Sequence, residues 1–170
     1  MIDHLPERLD LLASADAGRL LRGSIPLARL ERVLPVLGSS DGELQVQLEF
    51  GKTPDGTRFL SGTICGAVEL QCQRCLGLLR LPLDLEFRLG IVRSHAEARA
   101  LHECYEPLLV GSEPVQIADI VSDEVLLALP LVPVHADEGK CNEFVKDYQP
   151  QRQAERENPF AMLAELKQKP

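Results

Sequence analysis

The sequence contains no tryptophan and only two tyrosines and five phenylalanines. So thin a supply of rings disfavours a sheet that stacks RNA bases on interleaved aromatics. There is no surplus of basic residues either. Lys and Arg number 18 against 26 Asp and Glu, a formal charge of −8. A dominant grip on a phosphate backbone normally needs the opposite balance, although a local basic patch is compatible with it. No apolar run approaches the roughly 20 residues of a bilayer-spanning helix. The start, Met1-Ile2-Asp3-His4-Leu5-Pro6-Glu7, is acidic and broken by proline, without the basic-then-apolar order of a signal segment. Five cysteines (Cys65, Cys72, Cys75, Cys104 and Cys141) are odd in number and irregularly spaced, a poor disulfide framework. These absences point to a soluble cytoplasmic protein without membrane contact. What is present is a globular composition, 45% apolar and 26% charged, in 170 residues. That length supports one domain with its own core.

The first forty residues read as a helical or irregular lead-in. In Ile25–Leu34 apolar residues fall three and four apart, with Ser24 as a candidate cap and Pro26 in the first turn. The period then changes to two. Leu44, Val46, Leu48 and Phe50 alternate with polar neighbours, the pattern of a half-buried strand. Pro54-Asp55-Gly56 supplies a loop, and a second strand is expected over about Arg58 to Leu70. A third carries Leu79, Leu81, Leu83, Leu85, Phe87 and Leu89 on one face, with Pro82 on the other marking an edge or a bend. Residues 71–77 between them are short enough for an antiparallel hairpin. Residues 95–101 predict a short helix, and Leu108–Val110 an extended piece. From Val115 to Leu129, Ile117, Ile120, Val121, Val125 and Leu129 form a helical stripe ended by Pro130 and Pro133.

The expectation is therefore an α+β fold, an antiparallel β-sheet packed with a few helices over residues 1–135. Residues 136–157 read as a polar linker and 158–170 as a tethered C-terminal helix. Asn158 and Pro159 specify the start of that helix, and Phe160, Leu163 and Leu166 give it an apolar face. It can dock on its own domain or be offered to a partner's groove; the length of the tether favours the partner.

Three constellations could carry chemistry. Cys72-x-x-Cys75 lies between two strands and not at the start of a helix, which argues against a thioredoxin-like dithiol and suits a zinc knuckle. Zinc needs four ligands, and His135 with Cys141 offers a second pair. Packing as small apolar residues near a turn is the competing reading of the cysteines. Arg74, Arg80, Arg88 and Arg93 make the stretch 71–93 locally basic, whereas 97–124 carries seven acids against Arg99. The basic hairpin could touch RNA, or its arginines could be the solvated face of an amphipathic strand. Catalytic patterns fail: there is no phosphate-binding Gly-rich loop, no His-Glu-x-x-His, and no nucleophile elbow around Ser61-Gly62. His102 and Cys104, two residues apart in a polar segment, do not make a catalytic pair.

Four segments in order resemble the bacterial YceD family, named for large ribosomal RNA subunit accumulation. They are LQCQRCLG at 70–77, IVRSHAEARALHECYEPLLV at 91–110, DIVSDEVLLALPLVPVHADEGKC at 119–141 and NPFAMLAELK at 158–167. The resemblance implies a role in synthesis, processing or stability of 23S rRNA, and so in assembly of the large subunit, with no enzymatic activity. Some relatives carry a further Cys pair after the buried helix, where this chain has Cys141 with His135 before it. The implied partners are a precursor large subunit or a ribosomal protein, with 23S rRNA contacted through the basic hairpin. An rRNA-processing enzyme or a zinc-knuckle RNA-binding module is the alternative. The absence of an acidic metal-binding cluster favours the binding factor.

Overall fold

A computed structural model describes residues 5–136 and Cys141. Apart from Ala136 and Cys141, the expected linker and C-terminal helix, with Phe160, Leu163 and Leu166, lie outside the described residues. The chain runs β1 (Arg8–Leu9), α1 (Leu11–Asp16), β2 (Leu20–Pro26), β3 (Glu43–Lys52), β4 (Arg58–Gln71), β5 (Leu78–Val92), α2 (His95–Ala100), β6 (Glu106–Leu109), β7 (Val115–Gln116) and α3 (Ile117–Ala128). Five strands form one sheet in the order β2-β3-β4-β5-β6, and β1 pairs with β7 as a separate ribbon. The fold is α+β. The large sheet is antiparallel through β5, and β6 then joins parallel, pairing with Leu89–Val92.

Period-two patterning places one continuous apolar face on the three central strands. Val46 faces Ile64, which faces Leu85; Phe50 faces Leu60, which faces Leu89. Leu48 opposes Gly62, and Gly62 opposes Phe87. A β-carbon at Gly62 would sit 2.1 Å from the Phe87 ring, so the glycine is where that ring lies down on the sheet. Leu11 and Ala15 of α1, Leu27, Leu30 and Val33, and Ile117, Ile120, Val121 and Val125 of α3 complete a single core. α1 packs on β3 and β4, and α3 on β5. Two buried hydroxyls among the described residues are satisfied locally, Ser14 donating to the Asp10 carbonyl at 2.6 Å and Ser122 to that of Ala118 at 2.6 Å.

The lead-in differs from its expectation. Leu20–Pro26 is a strand, and Ser24 does not cap a helix; its hydroxyl donates to Glu43 at 2.9 Å across the β2–β3 pair. Only two short 3-10 turns follow, Leu27–Arg29 and Leu34–Val36. Seven residues of β2 pair with Glu43–Glu49 of β3, and that ladder takes Ile25 and Pro26 out of the helical spacing. The helix that does form there, α1, starts at Asp10, whose carboxylate accepts from the Ala13 N–H at 2.9 Å. Pro82 lies where β5 has no outer neighbour among the described residues, because β6 reaches only Leu89. A residue without an N–H is tolerated there.

Asp16, at the end of α1, ties that helix to the sheet. It accepts from Arg58 Nε at 2.7 Å and lies 2.6 Å from Lys52 Nζ. The Arg58 guanidinium first, and then the Lys52 ammonium, hold its carboxyl far below the usual carboxylate range. A carboxyl acidified by folding adds stability above its unfolded pKa, about 3.9, and that contribution fades as pH falls. Asp16→Asn is therefore expected to melt below the parent at neutral pH and to converge with it as pH drops under about 4. Melting temperatures across that range check it; a gap that stays constant with pH would remove the ion pairs as its cause.

Candidate metal centre

The longest antiparallel pair among the described residues, β4 with β5, ends in the turn that carries Cys72 and Cys75. The turn is tightly closed. Cys72 N–H donates to the Gly77 carbonyl at 2.9 Å, and Leu76 N–H donates back to the Cys72 carbonyl at 2.8 Å. Leu76 adopts φ +59°, a left-handed conformation that costs a side-chain-bearing residue roughly 1–2 kcal/mol. The turn thus points both sulfurs to one side.

A second segment is brought over that turn after α3. Gln73 N–H donates to the Pro133 carbonyl at 2.8 Å, which docks the chain beyond Pro130 on the hairpin. His135 Nε2 lies 3.2 Å from the Leu78 carbonyl. A carbonyl can only accept, so this contact assigns the proton to Nε2 and leaves the Nδ1 lone pair free. Nδ1 faces inward, 3.5 Å from Cys75 Sγ and 3.9 Å from Cys141 Sγ.

The ligand atoms of Cys72, Cys75, His135 and Cys141 all lie within 4.8 Å of one another. Bond lengths of about 2.3 Å to sulfur and 2.0–2.1 Å to nitrogen imply tetrahedral edges of about 3.5–3.8 Å around zinc, close to the two contacts just given. All three cysteines are reduced and buried. Cys141 belongs to the stretch read as linker, yet it is packed against the hairpin. Among the described residues, no other group of three or more His, Cys, Asp or Glu gathers in this way.

The electrostatics favour a bound cation. Burial opposes the Cys72 thiolate, but the backbone N–H groups of Cys75, His135 and Arg74 aim at its sulfur, and its pKa falls to about 6. His135 is pushed up, first by its contact with the Cys72 sulfur. Cys141 is pushed up by burial and then by the neighbouring Cys75 and Cys72 sulfurs. Gathered thiolates repel one another, and a divalent cation between them converts that repulsion into attraction. The donor set fits zinc: three sulfurs and one oriented imidazole close a four-coordinate shell with no position left for substrate, the arrangement of a structural site.

The arginines are not gathered. Arg74 is in the turn, Arg80 and Arg88 are on the solvent face of β5, and Arg93 lies past its far end. At about 3.3–3.4 Å per residue, Arg80 and Arg93 stand roughly 40 Å apart along the strand. Arg80 opposes Glu69, and the open face that holds Arg22, Arg80 and Arg88 also holds Glu43, Glu49, Glu69, Asp84 and Glu86. That face is mixed in charge, not basic. His102 Nδ1 and Cys104 Sγ approach to 3.1 Å but both residues are exposed. Two features escaped the sequence reading: the Gln73–Pro133 link, and an apolar groove beside the knuckle. Both join segments more than fifty residues apart, so no local signal announces them.

The fold and site define a small α+β domain whose central hairpin ends in a buried Cys3His knuckle. Residues 60–167 match the family described as "Large ribosomal RNA subunit accumulation protein YceD". A protein of that name from Haemophilus influenzae is 33% identical over 169 residues, covering 97% of both chains. The chain belongs to the YceD family. No solved structure matches it. Among the described residues, no helix is long and apolar enough to cross a membrane.

Proposed function

We propose that this chain is a non-enzymatic, cytoplasmic factor that supports accumulation of 23S rRNA, and with it assembly of the large ribosomal subunit. Kinship with the Haemophilus protein over nearly its whole length is the observation that carries this reading. The knuckle holds zinc as a structural ion, with Cys72, Cys75, His135 and Cys141 as its four ligands. A closed shell of this kind shapes a surface and leaves no open position for hydrolytic chemistry. The factor works by binding, and its acidic surface suits a basic ribosomal protein or a precursor particle better than naked RNA. Contact with 23S rRNA through Arg74, Arg80, Arg88 and Arg93 is the weaker route, because they are strung along the length of β5.

Deleting the gene is expected to lower the ratio of large to small subunits and the level of mature 23S rRNA, most visibly in the cold. Sucrose-gradient profiles and mapping of 23S ends check it. Normal profiles and normal ends at both temperatures would overturn the reading.

A further inference from the structure

Beside the knuckle lies an open groove of about 360 Å³, walled by Val36, Leu70, Leu126, Leu129, Leu131 and Pro133 and edged by Gln71 and Gln73. It brings together a 3-10 turn, the end of β4, the last turn of α3 and the segment docked on the hairpin. Its walls are apolar, and two of them are bare. Leu131 is 97% exposed and Val36 48%, and Leu127 and Val132 nearby are also exposed. Large side chains grouped on a surface in this way mark a site that something covers.

We infer that the groove is filled by this chain's own C-terminal segment, with Phe160, Leu163 and Leu166 inserted between α3 and the knuckle. Three observations select this occupant. The described chain ends at Cys141, which is packed on Cys72 and Cys75, next in sequence to the groove residues Gln71 and Gln73. From there residues 142–157 are a polar stretch of sixteen residues, a length whose root-mean-square reach as an unconstrained chain is roughly 20–24 Å, ample for returning to an adjacent groove. Beyond the tether, Asn158-Pro159 starts a helical pattern whose three apolar side chains span about 9 Å along one face.

The tether also sets the odds against other occupants. A connection of sixteen residues sets an effective concentration of about 1 mM for the segment at the groove. An intrinsic dissociation constant as weak as about 0.1 mM then leaves roughly nine chains in ten docked. A second copy or an unrelated partner at micromolar concentration would need far higher affinity to match that. The reach that favoured an external partner on sequence alone thus serves the intramolecular contact.

The absence of tryptophan makes the test direct. In the full chain, Phe160→Trp installs a single indole on the proposed contact face. Its emission should be blue-shifted, and its quenching by acrylamide roughly tenfold weaker than after adding Leu131→Asp or Val36→Asp, the ratio that a nine-tenths docked population predicts. Both groove positions are exposed on the described domain, so the variants should keep a folded far-UV circular dichroism spectrum, and their melting temperature should fall by no more than about 3–6 °C, the loss of a tenfold docking preference. The blue shift should persist on dilution. Solvent-like emission from the full chain would overturn the proposal and leave the segment for an external partner. A blue shift that vanishes on dilution would assign the groove to a second copy. One that survives both groove substitutions would place the segment elsewhere.

Discussion

Protein purified without chelator is expected to carry about one zinc per chain, and the single substitutions Cys75→Ala and His135→Ala to lose it. The expectation rests on geometry. The shell has four donors, so removing one opens a coordination position and withdraws a quarter of the bonding. His135→Cys supplies a thiolate on the same segment and should restore the metal, which a merely space-filling role for the imidazole would not predict. Metal binding to the folded state alone stabilises by about 4 kcal/mol when free zinc exceeds its dissociation constant a thousandfold. At about 2–4 °C per kcal/mol for a chain of this size, stripping the ion should lower the melting temperature by roughly 10 °C. Elemental analysis and thermal melts with and without chelator measure both effects. Metal-free protein that melts at the same temperature in chelator would reduce the cluster to three small buried thiols beside a histidine.

The second large effect is expected in the sheet. Phe50 is 2% exposed, sits on β3 opposite Leu60, and belongs to the apolar face shared by all the central strands. Phe50→Ala removes a ring that the backbone around it cannot collapse to replace, because β3 is held between β2 and β4 on both edges. The expected cost is about 3–5 kcal/mol, the transfer of the ring plus the cavity left behind. That corresponds to a fall of roughly 6–20 °C in melting temperature. Leu109→Ala is the contrast, since a half-exposed side chain on the edge strand β6 has little burial to lose. Denaturant titration of the two variants gives the comparison. A loss under about 1 kcal/mol for Phe50→Ala would mean that the sheet is less tightly packed than its burial indicates.

Sequence alone determined the three central strands, because their signal is periodic and local. Leu44 to Phe50 alternate without interruption, and so do Leu79 to Leu89; each strand buries one face and wets the other. The α3 stripe was legible for the same reason, with Ile117, Ile120, Val121 and Val125 buried as spaced. The Cys-x-x-Cys turn was equally local, since seven residues between two strong strands leave little but a hairpin.

Tertiary structure decided what local pattern cannot hold. Arg8–Leu9 becomes a strand only by meeting Val115–Gln116, more than a hundred residues away. Leu20–Pro26, with a glycine and a proline inside it, has weak strand propensity and is extended because β3 offers it an edge. Parallel β6 depends on the chain crossing back beside Leu89–Val92, which no spacing within residues 106–109 encodes. The knuckle lies between these two cases. Which residue types could ligate was readable from Cys72, Cys75, His135 and Cys141, but a ligand shell is a matter of a few ångströms among atoms sixty residues apart. It is set where the Gln73–Pro133 hydrogen bond and the His135–Leu78 contact lay the segment after α3 across the hairpin. The same crossing opens the groove beside it. Local sequence sets which side chains a strand or helix can bury; only the packing of distant segments sets which side chains meet.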